Sequence, residues 1–129
     1  MLLVAAALLT APDVQVGWAT YYAPGLMEQV AGNRLTWGQI NLCSDCVGYV
    51  ALLDPRDIGR RVWVKYGHRW EGPFLVVDCA QAAHREGLIA RDWVVDVDWQ
   101  TSQRWRLRQP EWVTVNFEKR GRHETLTRR

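Results

Sequence analysis

The sequence has few cysteines, little excess charge and no long apolar run, and each of these absences excludes a class of protein. The 129 residues carry a formal net charge of only +2, and much of the excess lies in the tail from Glu118 to Arg129. Because the body is then close to neutral, the sequence lacks the basic patch of a nucleic-acid-binding protein. No nucleic-acid partner is expected. The length suits one domain with a real core, but not two.

The longest apolar run, Met1 to Ala11, is too short to span a bilayer. It resembles the apolar core of a secretory signal, although it lacks a positive leader and a clean small-x-small cleavage site. We therefore expect export to the cell envelope or the medium, with no stable membrane span. The expected organisation is an apolar segment over 1–13, one domain over 14–117 and a basic tail over 118–129.

The three cysteines predict a disulfide rather than a metal site. Cys43-Ser-Asp-Cys46 has the spacing of a metal knuckle, but no second Cys-x-x-Cys or suitably spaced His pair completes a zinc set. A redox role would need the helix start that lowers a thiol pKa, which is missing here. We expect Cys79, which ends one strand, to bond to Cys46, which begins another, or else to Cys43. No metal and no cofactor is expected.

Short apolar strands separated by turns make up most of the chain. The predicted strands cover 14–22, 47–53, 61–66, 74–78, 93–97 and 112–117. Short helices are predicted over 26–30, ending at Gly32-Asn33, over 80–88, and from an Asp98 cap through Trp105. Five or six such strands favour a small closed β-barrel. We expect Val76, Val77, Val95 and Val97 in its core or immediate walls.

Two of the buried runs present carboxylates where the strand ends. Asp78 follows Phe74-Leu-Val-Val77, while Asp96 and Asp98 follow Trp93-Val-Val95. A carboxyl at the mouth of an apolar barrel is partly desolvated, which raises its pKa and suits it to proton transfer. Two such carboxylates close together cannot both ionise cheaply, so one should titrate above an ordinary aspartate. The alternative is that these aspartates simply cap turns and helix starts.

Eight tryptophans are the compositional outlier. Such large side chains are costly to bury completely, so several are expected at the surface. Exposed indoles on a rigid sheet are good platforms for the apolar faces of sugar rings. The alternative is that most of them pack in the core or half-buried.

The order of segments resembles that of rare lipoprotein A-like double-psi β-barrel domains. Gly17-Trp-Ala-Thr-Tyr-Tyr22 resembles their opening "G-x-A-S-x-Y" strand, and Asp57-Ile-Gly-Arg-Arg-Val-Trp-Val64 resembles "L-P-x-G-x-x-V-x-V". Glu71-Gly-Pro-Phe-Leu-Val-Val-Asp-Cys79 has the shape of the next strand, with the Asp-Cys of barwin-like and expansin-like members. Val95-Asp-Val-Asp98 resembles "I-D-L-S" or "F-D-L". The likeness spans about residues 14 to 117.

The resemblance implies a mainly β fold, a six-stranded double-psi barrel with short helices. It also implies a groove that binds cell-wall polysaccharide, either peptidoglycan or plant wall glycan. Asp96 matches the acid residue of the lytic relatives, and the Asp78 position lies beside it. The chain departs from the bacterial enzymes because their "T-A-N-G-E" stretch is replaced by 24–31, where Glu28 is the only carboxylate.

Two functions therefore remain open, beside a purely structural role, since small barrels of this kind also occur inside larger assemblies. One is a lytic transglycosylase-type enzyme acting on peptidoglycan, with Asp96 as general acid and Asp78 or Glu28 in support. The other is a non-catalytic, expansin-like glycan-binding barrel. In both cases we expect a monomer that stacks sugar rings on aromatic side chains, namely Tyr21, Tyr22, Tyr49, Trp70 and Trp93.

Overall fold

A computed structural model describes residues 13–118 as a closed barrel of six strands with three helices outside it. The strands are β1 (Val14–Tyr21), β2 (Gly48–Leu52), β3 (Arg61–Tyr66), β4 (Arg69–Cys79), β5 (Trp93–Val97) and β6 (Glu111–Phe117), and the helices are α1 (Leu26–Thr36), α2 (Ala82–Ala90) and α3 (Trp99–Trp105). The predicted mainly β, six-stranded barrel is confirmed. Its double-psi character stays a prediction. The apolar run over 1–11 and the tail beyond Glu118 lie outside the described residues.

The strands follow one another around the barrel in the order β1, β5, β2, β4, β3, β6, and β6 closes onto β1. The β1–β5 and β2–β4 pairs are parallel, and the other four pairs are antiparallel. Parallel partners cannot be joined by a tight turn. Along the chain, β3 lies between β2 and β4, while α1, α2 and three strands lie between β1 and β5.

The four valines expected in the core are all fully buried. Val76, Val95 and Val97 point into the barrel, whereas Val77 lies on the outer face of β4 beneath α1. A strand covered on both faces has no solvent-facing positions. This explains why the run before Asp78 is apolar without interruption.

Helix α1 is longer than the sequence pattern predicts. The expected stop at Gly32-Asn33 is wrong, because the helix continues to Thr36. A glycine inside a helix costs about 1 kcal/mol relative to alanine. Here that cost is offset on both sides of Gly32, since Ala31 is buried against the barrel and Arg34 forms an ion pair with Asp78.

The predicted bridge between Cys46 and Cys79 is wrong. Cys43 bonds to Cys46, with Cα atoms 5.4 Å apart, and Cys79 is a free thiol. The reason is strand direction. Because β2 and β4 are parallel, Cys79 lies beside Leu52 at the end of β2, and Cys46 precedes the start of β2 at the other end of the pair.

Asp98 has the capping role that the sequence predicts for it. Its carboxylate accepts hydrogen bonds from the backbone N–H of Thr101, at the start of α3, and from that of Tyr49 in β2, both at 2.8 Å. Asp98 therefore fixes α3 to the barrel and is buried away from solvent. Among residues 13–118, no helix combines the length and the apolar character needed to cross a bilayer.

Candidate functional site

An open groove of about 890 Å³ lies on the outer surface of the barrel. It is formed by β1, β5, the middle of β2 and the end of β4, with α2 along one wall. Its lining combines apolar and aromatic surface with a few polar and charged side chains, as is usual for ligand-binding clefts. The lining residues are Trp18, Thr20, Tyr22, Ala51, Asp78, Cys79, Ala80, Gln81, His84, Leu88, Arg91, Trp93, Asp96, Gln109 and Pro110.

Sheet register places both predicted aspartates in one row across the groove. Thr20 on β1 is the partner of Asp96 on β5, Asp96 is the partner of Ala51 on β2, and Ala51 is the partner of Asp78 on β4. With strands about 4.8 Å apart, the backbones of the two aspartates are separated by ~10 Å. Ala51, which lies between them in this row, is also one of the residues that line the groove.

Asp96 is the carboxyl with a perturbed proton affinity. The Thr20 hydroxyl donates to its Oδ1 atom, and the Trp93 indole N–H donates to the Thr20 oxygen at 2.8 Å. Burial raises the pKa of Asp96 above the ordinary aspartate value. The donors Thr20 and Trp93 oppose this, and the charge of Asp78 adds to it. The direction agrees with the expectation that one of the two carboxyl groups titrates high, but its main cause is burial and not the neighbouring carboxylate.

Asp78 is held by two donors from other elements. The hydroxyl of Tyr22 donates to its Oδ2 atom at 2.7 Å, and the Nη2 atom of Arg34 lies 3.1 Å from its Oδ1 atom. Burial is the main cause that raises the pKa of Tyr22, followed by the hydrogen bond to Asp78. Tyr22 therefore remains a protonated donor at neutral pH. The pair keeps Asp78 oriented as a charged, partly shielded neighbour of Asp96.

Two further titratable groups lie at the groove wall. Cys79 is half-buried, and burial together with the charge of Asp78 raises its pKa, so this thiol is a weak nucleophile. His84, on α2, lines the groove with an exposed side chain.

Other predicted site residues lie elsewhere. Glu28 is on α1 outside the groove lining, and its Oε1 atom is buried without a hydrogen-bond partner among the described residues. Tyr21 points away from its groove-lining neighbours Thr20 and Tyr22, and Tyr49 packs in the cluster beneath α1. Trp70 is half-exposed at the start of β4, where it lines a separate cavity of about 470 Å³ with Tyr66 and other residues of the β3–β4 turn. Of the predicted aromatic residues, Tyr22 and Trp93 line the groove.

Thr20, Arg34 and Trp18 are site residues that the sequence reasoning missed. For Arg34 a signal was present, because Met27, Ala31 and Arg34 recur at the i, i+4 and i+7 spacing of one helix face. That face packs on β4, so Arg34 reaches Asp78 whereas Glu28, on another side of the helix, does not. Thr20 lay within the opening motif, but its partner is 76 residues away.

No metal centre is favoured by the residues that the structure describes. Cys43, Asp45 and Cys46 are close enough to form a cluster of ligands. However, the two sulfur atoms are joined to each other, and Arg61 forms an ion pair with Asp45 at 2.9 Å. A disulfide offers no thiolate, so this loop functions as a crosslink in this state.

Comparison with known proteins identifies no relative: no family model, no curated protein and no solved structure matches this chain. The function must therefore be inferred from the groove itself.

Proposed function

We propose that this barrel cleaves a cell-wall polysaccharide, with peptidoglycan as its substrate, by a transglycosylase-type reaction in which Asp96 is the general acid. One observation carries the proposal: a partly buried carboxyl with a raised pKa faces an open groove lined by indole rings. A general acid must hold its proton near working pH and still reach the substrate. The raised pKa of Asp96 favours the first condition, and its place in the groove lining favours the second.

The proton of Asp96 belongs on Oδ2, since Oδ1 accepts from Thr20. In the proposed step this proton passes to the glycosidic oxygen as the bond from that oxygen to the anomeric carbon breaks. A hydroxyl of the same sugar then attacks the anomeric carbon and returns its proton to the Asp96 carboxylate. The new C–O bond replaces the old one, no water is consumed, and the enzyme regains its starting state.

Asp78 supplies the second charge that this reaction requires. The anomeric carbon becomes positive as the glycosidic bond breaks, and a fixed carboxylate across the groove stabilises that charge. Because Arg34 and Tyr22 hold both oxygens of Asp78, we give it an electrostatic role. It is not the base that activates a water molecule.

A cell-wall substrate agrees with the resemblance to rare lipoprotein A-like domains and with the expected export of the chain. Trp18 and Trp93 line the groove beside Asp96. Trp18, which is 40% exposed, offers apolar ring surface for a pyranose ring, whereas the buried Trp93 supports Thr20 through its indole N–H. Secretion or attachment to the envelope belongs to the same proposal.

The second candidate function is a glycan-binding barrel that does not cut. It is favoured by the engagement of Asp78 with Arg34, since this leaves no second unpaired carboxylate among the described groove residues. In that case Asp96 would accept hydrogen bonds from sugar hydroxyls. Both functions use the same groove, and a turnover assay distinguishes between them.

The test is incubation of the full chain with purified peptidoglycan, followed by mass spectrometry of the soluble fraction. We expect anhydro-type muropeptides from the wild-type protein and none from Asp96→Asn, with Asp96→Asn still sedimenting with insoluble peptidoglycan. Asp92→Asn, an exposed aspartate in the turn before β5, is the matched control and should remain active. Release by Asp96→Asn would contradict the acid role. Binding by the wild-type protein without release would establish the second function.

A further inference from the structure

Three tryptophans on neighbouring strands form a row that starts inside the groove and continues outside it. Trp18 on β1 is the register partner of Trp93 on β5 and also of Trp112 on β6. Register partners on adjacent strands have Cβ atoms about 5 Å apart, so these side chains are direct neighbours. We call Trp93, Trp18 and Trp112 the tryptophan row.

Exposure increases along the tryptophan row away from Asp96. Trp93 is 9% exposed on the groove floor, Trp18 is 40% exposed, and Trp112, outside the groove lining, is 49% exposed. The Trp18 and Trp112 rings meet edge to face, with centroids 5.0 Å apart and planes at 85°. This contact fixes both rings, so binding a ligand there costs little side-chain entropy.

The surroundings of the Trp18–Trp112 pair are mixed, because exposed valines on β1 face polar side chains on β6. The neighbouring outward-facing register pairs along β1 and β6 are Val16 with Thr114 and Val14 with Asn116. Each of them combines one apolar and one polar side chain. Aromatic side chains therefore lie on both strands only at the tryptophan row, and the aromatic surface is narrow. Val14 and Val16 continue the apolar surface along β1, whereas Thr114 and Asn116 interrupt it on β6. The ring surface that can stack on a sugar is therefore confined to the tryptophan row.

We propose that Trp18 and Trp112 form an extension of the groove that binds the pyranose rings of a glycan chain leaving the site of cleavage across β6. The inference rests on the proposed function for its ligand class, and it adds the direction in which the chain runs. The apolar faces of the sugars would lie on the indoles, while Gln109 and Thr114 offer polar groups beside the path. Such an extension contributes to the binding of long glycan chains, but not to that of oligomers too short to reach it.

The test measures binding as a function of chain length. β-1,4-linked N-acetylglucosamine oligomers of two to six sugars are titrated into the full chain carrying Asp96→Asn, so that no turnover intervenes, with calorimetry as the readout. We expect affinity to rise with length, and we expect Trp112→Ala to remove roughly 3- to 10-fold of the hexamer affinity while leaving that of the dimer unchanged. Trp70→Ala is the matched control, because Trp70 is 50% exposed but lies on β4, outside the groove lining and outside the tryptophan row.

Each other outcome has a definite meaning. The proposed extension would be overturned if Trp112→Ala and Trp70→Ala bound oligomers of every length with equal affinity. It would also be overturned if Trp112→Ala lost the same affinity for the dimer as for the hexamer. If the wild-type protein sediments as a dimer and Trp112→Ala sediments as a monomer, the tryptophan row is a self-association surface instead. Failure of every oligomer to bind would overturn this inference together with the proposed function. Length-dependent binding through Trp112, without release of muropeptides by the wild-type protein, would uphold the extension and reject only the catalysis.

Discussion

Thr20 and Asp96 are direct partners in the parallel pairing of β1 with β5, and the Thr20 hydroxyl donates a hydrogen bond to the Asp96 carboxyl. The backbone register and the side-chain contact therefore have a common origin. Any shift of β1 against β5 would remove the donor from the acid. The proton affinity of Asp96 is thus set by the sheet as well as by burial.

We expect Thr20→Val to raise the pKa of Asp96 further. The Thr20 hydrogen bond favours the charged form of Asp96, and valine has nearly the same shape without a hydroxyl. The measurement is a pH titration of side-chain carboxyl ¹³C signals, with the Asp96 signal assigned by its loss in Asp96→Asn. Thr114→Val, at a β6 position outside the groove, is the control and should leave the titration unchanged. A lower pKa in Thr20→Val would contradict the assigned hydrogen bond.

Asp96→Asn should stabilise the folded protein at neutral pH. The pKa of Asp96 is raised in the folded chain, so the folded state binds this proton more tightly than the unfolded state does. The contribution to stability is complete below the unfolded pKa of about 3.8 and is lost as pH rises through the folded pKa. Asparagine does not ionise, and each tenfold difference in proton affinity corresponds to about 1.4 kcal/mol.

Urea unfolding at a series of pH values checks this expectation. The free energy of unfolding of Asp96→Asn, relative to wild type, should increase from pH 3 to pH 7. Asp92→Asn makes the same chemical change at an exposed position and should follow the wild-type curve. A variant that loses stability relative to wild type over this range would show that the charged form of Asp96 is the better tolerated one.

Arg34→Gln should destabilise the barrel by about 1–3 kcal/mol. The substitution removes the Arg34 donor from the half-buried carboxylate of Asp78, which then relies on Tyr22. Arg56→Gln is the matched control, since Arg56 pairs with Asp54 on the surface and exposed pairs contribute little. Denaturant midpoints at constant m-value give the comparison. Equal effects of the two substitutions would mean that the Arg34 pair contributes no more than a surface pair.

Thiol counts can separate the two disulfide pairings. With Cys43 bonded to Cys46, Cys43→Ser should show two free thiols under denaturing, non-reducing conditions, because Cys46 is released and Cys79 was already free. A bond between Cys46 and Cys79 would instead give none. Since the bridge closes a loop of only four residues, its loss should cost about 2 kcal/mol, measurable by urea unfolding of Cys43→Ser against wild type.

Local pattern was sufficient for much of the fold. The alternating and continuous apolar runs predicted the strands. The cap at Asp98 predicted the start of α3, since a short polar side chain before a helix satisfies backbone donors that lie next to it in the chain. The helix end at Gly32 was predicted wrongly, because the tertiary contacts of Ala31 and Arg34 outweigh the local cost of a glycine.

The site was predictable in part for a similar reason. Asp78 and Asp96 could be singled out because each follows its own apolar strand. Their shared neighbour Ala51, and the donors Thr20 and Arg34, could not be identified, because no local pattern states which strands become neighbours. The same holds for Trp112, whose place beside Trp18 follows from the β1–β6 register.

By itself, then, the sequence determined the strands, the short helices, the barrel class and the two carboxylates at strand ends, since each depends on interactions between residues close in the chain. Only the tertiary structure decided which strand ends lie next to each other. Parallel pairing of β2 with β4 placed Cys79 away from Cys46 and left Cys43 as the disulfide partner. Parallel pairing of β1 with β5 brought Thr20 to Asp96. Strand direction and register are properties of the closed barrel as a whole, because burying one set of side chains inside it fixes every cross-strand neighbour at once.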